Sequence, residues 1–137
     1  MFVFGNRSKE RMKGVHSLLI ECAIRALSKS RIDMSVPWMG GVRTDQEQNA
    51  IYRQGNSQCD GFNKKSYHQT GKALDVVPYV NRKIDYKHIT GFNEFARRMF
   101  EVWNEMTLEG KTKGWRLEWG GFWGNGWDKP HWQIVKN

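Results

Sequence analysis

The chain has 137 residues, enough for one domain that buries about two thirds of its unfolded surface, and it carries 22 Lys and Arg against 14 Asp and Glu, a net charge of +8. Mean hydropathy of −0.73 leans toward disorder, but seven Trp, seven Phe and four Tyr supply the large apolar areas a packed core needs. Two cysteines outside any CxxC pair exclude a dense disulfide framework, and no apolar stretch approaches membrane-spanning length. The opening MFVFGNRSKERMKG is too short in apolar residues for a secretory signal, so the chain is expected to be made and kept in the cytoplasm. Its basic balance favours an anionic partner: nucleic acid, a membrane surface or an acidic polymer such as cell wall. The charge is spread along the chain, so it defines a field and not a ligand.

Residues 14–29 place Val15, Leu18, Leu19, Cys22 and Ala26 on one helical face, with His16 and Arg25 elsewhere. The stretch 34–43, MSVPWMGGVR, reads as a short strand ending in glycines. Thr44-Asp45-Gln46-Glu47 is a capping box that starts a helix running to about Gln54 and stopping at Gly55. A polar loop from Asn56 to Lys65 follows. Residues 72–80 alternate weakly and then run apolar, as a buried strand does. The pattern of Phe92, Phe95, Ala96, Met99, Phe100, Trp103 and Met106 predicts a helix over 90–109, with Gly110 as its stop. Two strands are predicted at 115–119 and 132–135, separated by the turn GGFWGNGWDKP. The sum is an α+β fold: a single compact domain with helices packed on a small, mostly antiparallel sheet.

Asp75 sits inside the apolar strand, where burial penalises its charge unless a partner compensates. His68 precedes it by seven residues, and the C-terminal DKPHW supplies Asp128 and His131. Two imidazoles and one carboxylate suit zinc with a fourth position open to water. Asp128 would then stand beside the metal as a proton acceptor, with Pro130 stiffening the approach of His131. Taken alone, a His and an Asp seven apart also fit a structural hydrogen bond or a solvated loop. The composite pattern in SYHQTGKALDVVP, with Ser66, His68, Gly71, Ala73 and Asp75 in register and Asp-x-x-His near the C-terminus, separates this chain from that reading.

Together with RSKERMKGVH, GGVRTDQEQNAIYRQG and WGGFWGNGWDKPHWQ, these motifs make nearly the whole chain resemble the zinc peptidases of peptidoglycan stem peptides. That group comprises D-alanyl-D-alanine carboxypeptidases and dipeptidases and the L-alanyl-D-glutamate endopeptidases found among bacteriophage endolysins. The layout is most similar to the endolysin branch. The resemblance implies that His68, Asp75 and His131 bind Zn²⁺ and that Asp128 is the general base, where many relatives carry the longer Glu. Glu118 competes for the base but lies outside the motif; as a strand residue it also fits solvent exposure or an ion pair. Arg43 matches the arginine that faces substrate near the scissile bond, the alternative being an ion pair with Asp45 or Glu47. Ser66 would hydrogen-bond substrate or cap its loop, and Gly71 would turn the backbone between two ligands. Gln48 and Tyr52 are expected to pack behind the arginine, and His16 and His88 to be structural. The aromatics Trp115, Trp119, Phe122, Trp123, Trp127 and Trp132 would line a groove or fill the core.

The resemblance thus implies an L-alanyl-D-glutamate endopeptidase, one catalytic domain over 1–137 with no separate wall-binding domain, acting as a monomer on bacterial peptidoglycan. It would wait in the host cytoplasm until lysis and then reach the wall. No specific nucleic acid and no transmembrane segment are expected. A D-alanyl-D-alanine carboxypeptidase would use the same chemistry. A basic, aromatic-rich glycan- or nucleic-acid-binding module without catalysis would account for the charge and tryptophans but leave His68, Asp75, Asp128 and His131 without a purpose.

Overall fold

A computed structural model describes residues 1–137. Helix α1 (Asn6–Arg11), which the sequence pattern does not announce, ties the N-terminus to the chain ahead of the site. The Ser8 hydroxyl accepts the Val36 N–H at 3.0 Å, and Arg11 Nη1 donates to the Val36 carbonyl at 3.0 Å. Helix α2 (Ser17–Lys29) begins later than its apolar periodicity because His16 is the cap, its Nδ1 accepting the Leu18 N–H at 3.1 Å. Cys22 lies in the helix core as expected, and burial pushes its thiol up to about 12. Strand β1 is only Met34–Ser35; the glycines beyond it form a turn.

Helix α3 (Asp45–Arg53) starts on the Thr44 capping box, with both reciprocal hydrogen bonds in place. Helix α4 (Ile89–Leu108) is the longest element, and His88 caps it by accepting the Gly91 N–H. Both histidines without a place in the ligand motifs are therefore helix caps. Helix α4 buries Phe92, Phe95, Ala96, Met99, Val102 and Met106 against the buried face of α2. Arg25 spans the two helices at their rim, reaching Glu21, Glu105 and Glu109.

The sheet departs from expectation in one respect that matters for the site. Residues 72–80 do not form one strand; they form β2 (Ala73–Asp75) and β3 (Val77–Val80), which belong to different antiparallel sheets. One sheet has the order β1-β3-β4, where β4 is Lys83–Ile84; the other has β2-β6-β5, with β5 at Trp115–Trp119 and β6 at His131–Lys136. Val76 is the crossing point, and its N–H donates to Pro130 O at 2.9 Å. In the second sheet, Asp75 pairs with His131, Leu74 with Trp132, and Ala73 with Gln133; on the other side Trp119 pairs with Trp132 and Glu118 with Gln133. Because successive side chains alternate, Leu74, Trp119, Trp132 and Ile134 fall on the face that joins the helical core. Asp75, Glu118, His131 and Gln133 fall on the opposite face. Together the elements form one α+β core, and no helix is long and apolar enough to cross a membrane.

Candidate metal centre

His68 comes from a 3₁₀ turn, Tyr67–Thr70, that is capped at both ends by its own sequence. Ser66 Oγ accepts the His68 N–H at 3.2 Å, and Gln69 Oε1 accepts the Ser66 N–H at 2.8 Å. Gly71 closes the turn in the left-handed region at φ +74°, and a Cβ there would lie 2.5 Å from the Gly14 carbonyl oxygen. Glycine is thus required twice over, for its dihedral and for its lack of side chain. Two residues later the chain enters β2, which delivers Asp75 opposite His131 on β6.

The three side chains meet tightly. His68 Nε2 lies 3.2 Å from Asp75 Oδ1 and 3.2 Å from His131 Nδ1, and His131 Nδ1 lies 3.5 Å from Asp75 Oδ1. All three ligand atoms fall within 4.8 Å of one another. His68 and His131 are buried, and Asp75 Oδ1 is a buried oxygen without a hydrogen-bond partner. The protons explain why. His68 Nδ1 faces the Gly41 carbonyl at 2.9 Å and must donate to it, so Nε2 presents a lone pair; His131 Nε2 faces Gln133 Oε1 at 2.8 Å, so Nδ1 presents another. Three inward acceptors with no donor among them need a cation. Two nitrogens and one carboxylate oxygen are a donor set that suits zinc, so the residues present fit the ion their sequence pattern implies.

In the absence of an ion a proton on the imidazoles takes its place: burial works to raise the Asp75 carboxyl, but the charge of His68 and His131, and the hydrogen bonds they give once protonated, override it and hold it far below the usual carboxylate range. Burial likewise opposes charge on His131, yet the hydrogen bond and charge of Asp75 leave its pKa above the ordinary imidazole value. Asp128 stands outside the ligand triangle, its Oδ2 4.0 Å from His131 Nδ1. Burial raises its pKa, with the nearby Asp75 charge adding to the effect.

Arg43 pairs with neither Asp45 nor Glu47. Its Nη2 reaches Asp75 Oδ2 at 3.2 Å, Nη1 reaches Gln48 Oε1 at 3.0 Å, and Nε donates to the Met39 carbonyl at 2.8 Å. Gln48 is fully buried behind it and donates onward to Ser57 Oγ and the Cys59 carbonyl, so it braces the guanidinium and the loop at once. Tyr52 does not share that role, being 45% exposed. Glu118 pairs with Arg116 and accepts a hydrogen bond from Gln133 Nε2 at 2.8 Å. Gln133 does not stand out in the sequence, although its place two residues after His131 in a strand puts it on the ligand face.

Arg43, Ser66, His68, Asp75, Asp128 and His131 all line one cleft of about 380 Å³, whose rim carries Lys64, Lys65, Trp123 and Trp127. An adjoining hollow of about 430 Å³, walled by Trp38, Met39, Ile51 and Tyr86, shares Arg43, Asp75 and Asp128 with it. Arg43, Asp75 and Asp128 therefore stand between two adjoining hollows. Of the aromatic cluster, Trp119 and Trp132 are core, while Trp127 is exposed at the cleft; Trp38 on the far rim, 74% exposed, carries no sequence signal because it stands alone in its segment.

Fold and donor set together define a small α+β domain with a buried His-Asp-His centre and an acidic neighbour in an open groove. The chain belongs to the family described as phage L-alanyl-D-glutamate peptidase, whose sequence model matches residues 1–133. It is 32% identical over 122 residues to the L-alanyl-D-glutamate peptidase of Escherichia phage T5, covering 89% of this chain and 82% of that protein. The crystal structure of the Serratia marcescens L-Ala D-Glu endopeptidase ChiX superposes with a TM-score of 0.77 at 29% identity, over 97% of this chain and 90% of that one.

Proposed function

We propose that this chain is a zinc-dependent endopeptidase that hydrolyses the L-alanyl-D-glutamate bond in peptidoglycan stem peptides, with residues 1–137 acting as one monomeric catalytic domain. It would act as a phage endolysin, held in the host cytoplasm until lysis admits it to the wall. The observation that carries this reading is the orphaned Asp75 Oδ1, met by two inward imidazole nitrogens beside an acid of raised pKa. His68 Nε2, Asp75 Oδ1 and His131 Nδ1 would hold the ion; zinc bound there supplies Lewis acidity that activates water near neutral pH and polarises a carbonyl.

The remaining work belongs to the chain. Asp128 accepts a proton from the attacking water and returns it to the leaving amine, a role its raised pKa suits because an ordinary carboxylate is a weaker base. A guanidinium has five N–H donors; Arg43 uses three on Met39, Gln48 and Asp75, leaving two for a substrate carboxylate or the oxyanion that develops on the scissile carbonyl. Ser66 Oγ already accepts from His68, but its own proton is free to donate to substrate. The groove on both sides of Asp75 and Asp128 supports cleavage within a chain, and the net charge of +8 favours approach to an anionic wall at low salt.

Digestion of purified muropeptides with detection by mass spectrometry tests the proposal. The expected products carry a new C-terminal L-alanine and a new N-terminal D-glutamate, disappear after chelation and return with zinc. Release of terminal D-alanine alone would make the enzyme a carboxypeptidase, and binding without cleavage would make it a wall-binding module.

A further inference from the structure

On the ligand face of the second sheet, Glu118 lies directly opposite Gln133, and Gln133 lies two residues beyond His131 on the same strand. The pleat therefore lines up three side chains in a row that ends on a ligand. Gln133 Nε2 donates to Glu118 Oε1 at 2.8 Å, and Gln133 Oε1 faces His131 Nε2 at 2.8 Å. The other carboxylate oxygen of Glu118 is engaged by Arg116 at 3.2 Å.

The geometry points to Glu118 as a positioning residue that acts through Gln133 to decide which ring nitrogen of His131 carries its proton. A carboxylate accepts hydrogen bonds and cannot give them, so the NH₂ end of the Gln133 amide must turn toward Glu118. The amide oxygen is then forced toward His131, whose Nε2 must donate. Nδ1 is left with its lone pair directed at Asp75 Oδ1 and His68 Nε2. His68 needs no such device, because its Nδ1 donates to the backbone carbonyl of Gly41, which has no second orientation. A glutamine alone is different: turned over, it would offer an N–H to His131 Nε2 and place the proton on Nδ1, where it blocks coordination. Glu118 removes that alternative. This also gives the residue a place in the site without making it the base, since its contacts are Gln133 and Arg116.

The inference rests on the metal-centre reading, and zinc affinity of the metal-free protein separates the two. Competition with a chromophoric chelator should show stoichiometric, tight binding by the wild type and an affinity lower by about 10- to 100-fold in Glu118→Gln, the usual cost of losing such a supporting contact. The substitution keeps size and shape, so the thermal midpoint of the metal-free protein should hardly move. Combining Glu118→Gln with Gln133→Glu restores an acceptor-only group beside His131 and should regain most of the affinity. Long-range ¹H–¹⁵N spectra of metal-free protein at alkaline pH give an independent reading. Wild-type His131 should be protonated on Nε2, Glu118→Gln should shift the proton wholly or partly to Nδ1, and His68 should remain protonated on Nδ1 in both. Wild-type zinc affinity in Glu118→Gln, an unchanged His131 spectrum, or no recovery in the double variant would overturn the assignment. Failure of the wild type to bind zinc would overturn the metal-centre reading instead.

Discussion

Replacing Gly120 by alanine probes how closely Asp128, the proposed base, must be held. Gly120 comes directly after β5 and packs against the turn that carries Asp128; an added Cβ would lie 2.2 Å from the Asp128 carbonyl oxygen and 2.9 Å from its Cβ. Reaching the shortest tolerable contact demands a retreat of about 1 Å, and neither side yields readily. Trp119 before Gly120 is buried and donates through Nε1 to the Lys129 carbonyl at 2.7 Å, while Pro130 O is bound to the Val76 N–H at 2.9 Å. Overpacking of this kind costs about 1–3 kcal/mol in stability, and a displacement of about 1 Å at a reacting group costs on the order of 10²-fold in rate. Steady-state hydrolysis of a defined muropeptide should therefore show kcat lower by about that factor. Zinc content should be largely kept, because the pairing of β6 with β2 holds His131 opposite Asp75. Gly5→Ala, where nothing lies within 4 Å, is the control and should behave as wild type. A Gly120→Ala enzyme with normal kcat and normal thermal midpoint would refute the claim that Asp128 position limits the reaction.

Asp128→Asn removes the proposed proton acceptor while keeping its size, and should lower kcat by about 10²- to 10⁴-fold with zinc binding retained; full activity would move the base elsewhere. The metal-free protein should also lose stability on both sides of a pH optimum. Asp75 titrates below its ordinary value in the folded state, so its stabilisation is present above about pH 3.9 and declines as pH falls toward the folded pKa. His131 titrates above its ordinary value, so its stabilisation is present below about pH 6.5 and declines as pH rises through the folded pKa. Thermal midpoints recorded against pH should show this maximum without zinc and lose the alkaline decline with it; a profile indifferent to zinc above pH about 6.5 would contradict the coupling.

The helices that the sequence announces most clearly are those whose signal is local. Thr44 and Glu47 form their capping box within four residues, and the apolar spacing of α4 repeats for about four turns, so neither needs knowledge of the rest of the chain. The cluster that could hold an ion is legible for a similar reason: His68, Gly71 and Asp75 are constrained by one turn and one strand. The antiparallel strands at the C-terminus are legible, but the division of residues 72–80 between two sheets is not. ALDVVPYV is buried along most of its length, and a run that is apolar on both faces carries no mark of where it passes from one set of neighbours to another. Helix α1 is short and polar, held by contacts with residues near Val36 that no local pattern reveals. The place of Gln48 behind Arg43 is legible, but its bonds to Ser57 and Cys59 and the bracing role of Gln133 are not, since amide side chains have no distinctive spacing and acquire meaning only from partners elsewhere in the chain.

The segment before α3 is stitched to the ligand turn at several points: the Arg43 N–H to the His68 carbonyl at 3.1 Å, the His68 ring to Gly41 O, the Asp75 N–H to Gly40 O at 2.8 Å, and the guanidinium to Asp75. Anyone building chimaeras with related lysins should accordingly transplant Gly40–Arg43 and Ser66–Asp75 as one cassette. Exchanging either alone would leave a foreign Arg43 segment bonded to a native Asp75, and on the proposed reading retargeting would then loosen the metal. The rim residues Lys64, Lys65 and Trp127 carry none of these stitches, which makes them the safer ground for altering the range of walls attacked.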